Sequence, residues 1–349
     1  MPEFENERDD IAIPIEFPRR ASRRLRVAHW LFGQTFRPML RTLVHLQQAG
    51  VIPRGMALWF LANLDRPIVL LRPPRGTRVR REDFPQYRAE WVWDRDAAAA
   101  PERLAGAILY MHGGGLVTCG LNSHRRIVAR LSTATGLPVY NIEYRQIPTV
   151  SVSQTVEDCL AGYRRLIDAG FPADRIVLAG DSAGGGLVFS VALAIRVQGL
   201  PMPRALVAIA PFANYDSAAR FAHANNGTDP VLSADALSLP VKWGMYRDGV
   251  LDPALSPVNH DFAGLPTTLI QVGSTEVLRA DAEEVAACCV RAGVPVRLQV
   301  WDHALHVFHA GADVLPDARD AFSEIGVFVE DALGGRSGAE PGATDRMPA

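Results

Sequence analysis

The stretch "RIVLAGDSAGGG", residues 175–186, places a serine between an apolar run and a segment with helical spacing. The run "RIVLA" is short and rich in Ile, Val and Leu, as is typical of a strand buried in a parallel sheet. Gly180, Ser182 and Gly184 fit the pattern G-x-S-x-G, in which a serine occupies a sharp strand-to-helix turn. The pattern alone is weak, but its position between strand and helix favours Ser182 as a nucleophile over a structural glycine-rich turn.

Similar apolar runs recur along the chain and alternate with helical patterns. The predicted strands are 107–112, 138–144, 175–180, 205–210, 267–273 and 296–301, and the predicted helices lie near 123–135, 153–169, 183–198, 280–292 and 317–333. This alternation predicts an α/β fold with a doubly wound, mostly parallel sheet and right-handed crossovers. Ligands of such sheets bind outside the carboxyl ends of the strands.

The remaining segments differ in composition. Residues 1–20 are charged and contain proline, and we predict that they are poorly ordered. Residues 21–66 have helix-like apolar spacing, and residues 67–334 hold the alternating domain. The Gly/Pro-rich residues 335–349 are expected to be a disordered tail.

The bulk composition is that of an ordinary globular protein. Of the 349 residues 48% are hydrophobic, and the formal net charge is −2, so nothing global favours nucleic acid as a partner. None of the four cysteines forms a C-x-x-C pair, which favours buried free thiols in a reducing compartment. Because no long apolar window and no signal-peptide pattern is present, we expect a cytoplasmic protein without a membrane span.

A second glycine-rich stretch, "HGGG" at residues 112–115, follows a predicted strand. Attack of a serine on an ester carbonyl creates an oxyanion, which preorganised N–H groups stabilise. Glycine lets the backbone approach closely because it has no Cβ. A phosphate-binding loop is the alternative, but no Lys-Ser/Thr pair follows. We therefore expect the glycines and the N–H of Ala183 to form an oxyanion hole, with His112 holding the loop.

The serine needs a base, and the base needs a carboxylate that orients it. The histidines after the last predicted strand are His303, His306 and His309, and the carboxylates after the preceding strand are Glu276, Asp281, Glu283 and Glu284. Glu276 is favoured because it lies in the loop directly after its strand, whereas the other carboxylates fit the solvated face of the next helix. Spacing alone leaves the histidine undecided. No Cys or carboxylate pattern for zinc accompanies the histidines, so we expect no metal.

Together these motifs resemble the hormone-sensitive-lipase-like branch of the α/β-hydrolases. The resemblance covers about residues 85–330 and is carried by "YMHGGGLVTCGLNSH", "NIEYR", "LAGDSAGG", "ALSPVNHDFAGLPTTLIQVGSTEVLRADA" and "VWDHALHVFH". It implies an α/β-hydrolase fold with a helical cap. It places the base at His306, in "HVF", and the acid at Glu276, in "EVL".

The resemblance also implies roles around the oxyanion. The implied donors are Gly114, Gly115 and Ala183, with Gly113 as a further candidate, and the supporting residues are His112 and Asp181. Most relatives have Asp where this chain has Glu276, and a longer side chain can still orient the imidazole. The segment "YRQIPTVSVSQ", residues 144–154, lacks the Glu-His pair of the family. This departure leaves Arg145 without its expected neighbours and brings the rate, not the reaction type, into question.

The family cap is built from the N-terminal segment and an insertion, here near residues 212–262. The candidate walls of the acyl pocket are Trp30, Phe36, Trp243 and Tyr246, although ordinary packing of the cap would also explain each of them. The arginines at 19, 20, 23, 24 and 26 suit either an interfacial helix or, as we favour, a solvated basic face. By resemblance, a homodimer through the edge strand 296–301 is also expected.

The sequence therefore predicts a serine-dependent carboxylic-ester hydrolase that needs no cofactor and acts on short to medium acyl esters. A lactone hydrolase with the same triad is one alternative. A non-catalytic protein that binds a small molecule on the same fold is an alternative from a different class. A missing triad residue would be the sign of such a protein, and all three candidates are present.

Overall fold

The computed structural model describes residues 12–334. The strands in this range are β1 (Ile15–Glu16), β2 (Thr77–Asp83), β3 (Arg88–Asp94), β4 (Ala107–Met111), β5 (Val139–Glu143), β6 (Ile176–Asp181), β7 (Ala205–Ile209), β8 (Tyr246–Arg247), β9 (Val250–Leu251), β10 (Thr267–Gly273) and β11 (Val296–Trp301). Nine of them form one sheet in the order β1-β11-β10-β7-β6-β4-β5-β3-β2, and β8 and β9 form a separate hairpin.

The helices in the same range surround this sheet. They are α1 (Arg23–Gln34), α2 (Phe36–Gln48), α3 (Arg54–Asn63), α4 (Asp65–Ile68), α5 (Leu121–Thr135), α6 (Val152–Asp168), α7 (Ala183–Val197), α8 (Ala218–Ala222), α9 (Ala234–Gly244), α10 (Arg279–Arg291) and α11 (Pro316–Gly334). Every residue of β4, β6 and β7 is buried, so both faces of the central sheet are covered. This burial on both faces explains why these strands have continuous apolar sequences.

The sheet is mostly parallel, as predicted. Seven neighbouring strands, in the order β1-β11-β10-β7-β6-β4-β5, pair in parallel. The last two strands are antiparallel: β3 pairs with β5, and β2 pairs with β3. Neither β2 nor β3 is among the strands predicted from the sequence. Strand β2 was missed because its sequence "TRVRRED" is charged rather than apolar. These charges are compatible with a strand at the sheet edge, where one side faces solvent.

The N-terminal region differs from the expectation of poor order. Residues 15 and 16 form β1, which pairs in parallel with β11 in the register Ile15↔Leu298. The carboxylate of Glu16 accepts hydrogen bonds from Arg297 at 2.8 and 2.9 Å and from Gln299 at 3.1 Å. Because β1 covers part of β11, the strand expected at the sheet edge is not the outermost one. Residues 1–11 and the expected tail at 335–349 lie outside the described residues.

The helices of the predicted cap pack against one another above the sheet. Helix α2 contacts both α1 and α9, and the Arg54 guanidinium of α3 donates to the carbonyl of Trp243 at the end of α9. The same end of α9 meets the main domain at Gly244. A Cβ at Gly244 would lie 2.6 Å from the Cβ of Ile147, so the last turn of α9 packs directly on the segment that departs from the family.

Candidate active site

Ser182 lies on a strained turn between β6 and α7. Its φ of 53° and ψ of −119° are outside the regions that a serine normally occupies. Glycines make the turn possible: a Cβ at Gly180 would lie 2.5 Å from the carbonyl oxygen of Gly184, and one at Gly184 would clash with the carbonyl of Met111. The turn is fixed by the Ser182 N–H, which donates to the Ile209 carbonyl at 2.8 Å.

His112 holds the glycine loop, as predicted from the sequence. Its ring is fully buried, stacks on Tyr144 at 4.3 Å between centroids, and its Nδ1 bonds to the carbonyl of Gly113 at 2.7 Å. The Tyr144 hydroxyl donates to the His112 carbonyl at 2.5 Å. Burial lowers the pKa of His112 to about 4, so the ring is neutral near pH 7 and suited to a structural role.

The N–H of Gly113 is already used by a buried carboxylate. It donates to Asp181 Oδ1 at 3.1 Å, the Tyr110 hydroxyl donates to the same oxygen at 2.6 Å, and His124 Nε2 lies 3.2 Å from Oδ2. Burial alone would raise the pKa of Asp181, but the charge and hydrogen bond of His124 outweigh it and lower the pKa to about 2. Asp181 therefore anchors the loop, and Gly113, the further candidate, is not free to bind an oxyanion.

Gly114 and Gly115 have the geometry expected of a donor loop. Their φ values of 112° and 62° lie in the left-handed region that favours glycine. Neither N–H donates a hydrogen bond within residues 12–334. Ala183 is the first residue of α7, where an N–H has no acceptor within the helix. The end of the glycine loop is held by Gln146, a residue that the sequence analysis missed. The amide of Gln146 donates to the carbonyls of Thr118 at 2.9 Å and Cys119 at 3.2 Å.

Glu276 and His306 form a hydrogen-bonded pair. Glu276 follows β10 and is buried, and its Oε2 lies 2.7 Å from His306 Nδ1, while its Oε1 accepts the N–H of Gly273 at 2.7 Å. Burial lowers the pKa of His306, but the hydrogen bond and charge of Glu276 outweigh it, and the pKa lies above its ordinary value. Asp229 and Asp181 add smaller contributions of the same sign.

The other two histidines make different contacts. His303 Nδ1 pairs with Asp302 Oδ1 at 2.7 Å, and its ring contacts His29 edge-to-face. His309 is buried in the core with its Nε2 2.8 Å from Gln271, and burial lowers its pKa to about 3. Of the three histidines, only His306 is bonded to a carboxylate that follows β10.

Asp281 and Glu283, two of the other carboxylates after β10, pair with arginines. Asp281 forms a buried pair with Arg220 at 2.8 Å and accepts two backbone N–H groups, so it is not on a solvated face as expected. Glu283 pairs with Arg279 on the helix surface at 2.8 Å.

Two residues of the cap insertion hold the acid loop and were missed from the sequence. The Asn225 amide donates to the carbonyl of Glu276 at 2.9 Å. The buried Asp229 accepts the N–H of Val277 at 2.8 Å. Burial and the charge of Glu276 raise the pKa of Asp229 to about 6. Neither residue lies in a recognisable motif, because their role depends on how the insertion folds back over the loop.

Arg145, in the altered segment 144–154, pairs with Asp158 of α6. Its backbone N–H and Nε each donate to Asp158 Oδ2 at 2.9 Å, and its Nη2 donates to Oδ1 at 2.7 Å. Arg145 thus lacks the Glu-His neighbours of the family, as expected from the sequence, but it has a partner of its own in a carboxylate in the second turn of α6.

The four predicted pocket residues differ in exposure, and their role in a pocket stays a prediction. Trp30 is 62% exposed and Tyr246 40% exposed, while Phe36 and Trp243 are half-buried. The side chain over the glycine loop is Pro240 of α9, since a Cβ at Gly115 would meet its Cγ at 3.6 Å.

The loops after β4, β6, β10 and β11 meet at one edge of the sheet because these strands are parallel. They bring the glycine loop, Ser182 and the Glu276–His306 pair together. Ser182 and His306 are not joined by a hydrogen bond here, although the Asp181 charge next to Ser182 acts on His306. Such contacts often tighten only when substrate binds.

The chain matches the family described as having the alpha/beta hydrolase fold over residues 108–310, more than half of its length. This chain belongs to the α/β-hydrolase family. It is 37% identical over 285 residues to Esterase LipU of Mycobacterium tuberculosis, covering 80% of this chain and 95% of that protein. It is 37% identical to an acetyl-hydrolase of Streptomyces hygroscopicus, covering 70% of this chain and 80% of that protein.

A comparison with solved structures identifies the branch of the family. It superimposes with a TM-score of 0.73 on an esterase from the bacterial hormone-sensitive lipase family, at 29% identity, covering 85% of this chain and 99% of the other. The predicted fold and the hormone-sensitive-lipase-like branch are thus confirmed, and the protein is a carboxylesterase- or lipase-like hydrolase.

Two further properties concern the whole described range. Among residues 12–334, no three or more His, Cys, Asp or Glu side chains are grouped so that they could hold a metal ion. Within the same residues, no helix combines the length and the apolar character needed to cross a membrane.

Proposed function

We propose that this hydrolase is a serine esterase that cleaves short to medium acyl esters through an acyl-enzyme intermediate. The observation that carries the proposal is the 2.7 Å bond between Glu276 and His306 at the sheet edge where Ser182 sits on its strained turn. A carboxylate that orients a histidine next to an activated serine is the arrangement that acyl transfer requires.

The chemistry follows from these groups. Ser182 Oγ attacks the acyl carbon while His306 accepts its proton, and Glu276 stabilises the imidazolium that forms. The N–H groups of Ala183 and of the glycine loop bind the developing oxyanion. His306 then gives the proton to the leaving alcohol, and a water molecule releases the acid by the same steps in reverse.

Two observations support a short or medium acyl chain. The Streptomyces relative carries the name acetyl-hydrolase. In this chain, Pro240 of α9 lies over the glycine loop next to Gly115, which narrows the space around the reacting carbonyl.

The test is hydrolysis of p-nitrophenyl esters from acetyl to palmitoyl by the wild type and by Ser182→Ala. Turnover should peak at short or medium chains and fall by at least about a thousand-fold in the variant. Ser190→Ala, in the same helix α7, is the matched control and should keep wild-type turnover.

The same experiment separates the alternatives. Turnover of lactones but of no linear ester, again lost in Ser182→Ala, would make the protein a lactone hydrolase. Absence of all turnover, together with failure of a fluorophosphonate probe to label Ser182 in folded protein, would instead indicate a non-catalytic binding protein.

A further inference from the structure

The first three helices present apolar stripes to solvent. Of the 22 large hydrophobic side chains that are exposed in residues 12–334, 15 lie within residues 17–71. On the helices they recur at spacings of three and four residues: Val27, Trp30 and Leu31 on α1, Met39, Leu43 and Leu46 on α2, and Met56, Trp59 and Phe60 on α3. This spacing places each set along one face of its helix.

The inner faces of the same helices are already occupied by the insertion. A Cβ at Gly33 of α1 would lie 3.9 Å from Pro230, α2 packs against α9, and Arg54 of α3 bonds to the end of α9. The buried Val44 marks the inner face of α2, opposite to Leu43 and Leu46. The exposed stripes are therefore a second apolar surface, separate from the packing that holds the cap on the domain. We call this surface, residues 17–71, the outer cap face.

The ionisable side chains of this region are almost all positively charged. Residues 17–64 contain eight arginines and no Asp or Glu, in a chain whose formal net charge is −2. Among the described residues, only Arg19 of these eight forms an ion pair with a carboxylate. The others leave a field of positive charge around the apolar stripes.

We propose that the outer cap face docks on an anionic lipid surface. Helices with one basic and one apolar side, carrying exposed Trp and Phe, lie in the interface of a bilayer, where the rings enter the headgroup region. Each arginine near an anionic bilayer strengthens binding by about five-fold. A patch this apolar on a monomer usually marks an interaction site.

The charge argues against a second copy of the chain as the occupant. A two-fold dimer brings the same patch of both subunits together, so that arginines would face arginines. The inference does not depend on which ester is cleaved. It concerns where the hydrolase works rather than what Ser182 does.

The experiment is co-sedimentation of the full chain with vesicles. One set contains phosphatidylglycerol and phosphatidylcholine in equal parts, and the other contains phosphatidylcholine alone. We expect binding to the anionic vesicles, weaker binding to the neutral ones, and a loss of binding as NaCl rises from about 50 to about 500 mM. The variant Leu43→Ser/Leu46→Ser should bind at least about ten-fold more weakly, since two inserted side chains lose their burial.

A matched control separates a local effect from general loss of hydrophobicity. Val197, at the end of α7, is 82% exposed and lies outside the outer cap face, so Val197→Ser should bind vesicles like the wild type. Hydrolysis of a soluble p-nitrophenyl ester by each variant, measured without lipid, reports separately on the active site.

Three results would overturn the proposal. The first is a chain that stays in the supernatant with both kinds of vesicle. The second is wild-type binding by Leu43→Ser/Leu46→Ser. The third is a dimer, seen by light scattering without lipid, that Leu43→Ser/Leu46→Ser abolishes, because the face would then be a contact between copies. Residues 2–10 hold five carboxylates. If vesicles bind only after these residues are deleted, the occupant of the outer cap face in the full chain would be that acidic segment and not a lipid surface.

Discussion

At the scale of single residues, the site depends on how neighbours set the properties of His306. In the proposed mechanism His306 must be neutral to accept the proton of Ser182, so activity should rise as the pH passes through the pKa of His306. Glu276 holds that pKa above its ordinary value against the opposing effect of burial. The carboxylate thus orients the ring and also shifts the pH range in which the enzyme works.

Replacing Glu276 by Gln keeps the size of the side chain and removes its charge. The pKa of His306 should then fall, and the acid limb of kcat/KM against pH should move to lower pH by about one unit. Activity at the plateau should drop by about a hundred-fold or more, because the imidazolium loses its partner. Glu283→Gln, in a surface pair with Arg279, is the control. An unmoved acid limb in Glu276→Gln would show that another group acts as the orienting acid.

Gln146 holds the end of the glycine loop through its side-chain amide. Its amide donates to the carbonyls of Thr118 and Cys119, three and four residues after Gly115. Gln146→Leu should lower kcat by about ten-fold with little change in KM, since about 1 kcal/mol is lost per hydrogen bond. Steady-state kinetics measures this split. Gln198→Leu, a change at an exposed glutamine bonded to Arg164, should leave both constants as they are.

At the scale of elements, the cap insertion and the acid loop form one unit. Asp229 lies in the first half of the insertion and accepts the N–H of Val277, directly after Glu276. The carboxylates of Asp229 and Glu276 are both buried. Burial and the charge of Glu276 raise the pKa of Asp229. The insertion therefore contributes to the geometry of the Glu276–His306 pair.

This arrangement has a consequence for stability. The pKa of Asp229 is raised from 3.8 to about 6 in the folded protein, so its contribution is fully present below about pH 4 and lost as the pH rises through about 6. Asp229→Asn has no carboxyl group to titrate, so it does not lose stability in this way. The free energy of unfolding of the variant minus that of the wild type should therefore increase by about 2–3 kcal/mol from pH 4 to pH 7.

Urea unfolding at both pH values measures this difference. Asp235→Asn, at an exposed carboxylate in the first turn of α9, should show no such change with pH. A constant difference for Asp229→Asn would mean that Asp229 titrates like an ordinary aspartate.

At the scale of the whole molecule, one contact between cap and domain is especially tight. Gly244 at the end of α9 touches Ile147, and the space there does not admit a Cβ without movement. Gly244→Ala should push α9 away from the segment 144–154 and destabilise the fold by about 1–3 kcal/mol. Because α9 also carries Pro240 over the glycine loop, KM for longer acyl esters should change more than kcat.

Gly227→Ala is the matched control for this joint. It lies in the same insertion, and a Cβ there would meet nothing within 4 Å. Thermal unfolding and ester kinetics of the two variants can be compared directly. Equal melting temperatures would show that the contact at Gly244 relaxes without cost.

The sequence by itself determined the fold, the strained turn at Ser182 and the glycine loop, because these rest on local patterns: buried runs, helical spacing and glycines where the backbone is crowded. The family resemblance selected His306 from three equally spaced histidines, and the hydrogen bond to Glu276 agrees with that choice. These features are encoded by residues close together in the chain.

Only the tertiary structure decided the contacts between distant segments. It showed that Gly113 is bound by Asp181, that Asp158 takes over as the partner of Arg145, and that β1 covers β11. It also showed that Trp30 is largely exposed to solvent. Such outcomes depend on which surfaces meet after folding, and a periodic pattern in one segment carries no information about its partner.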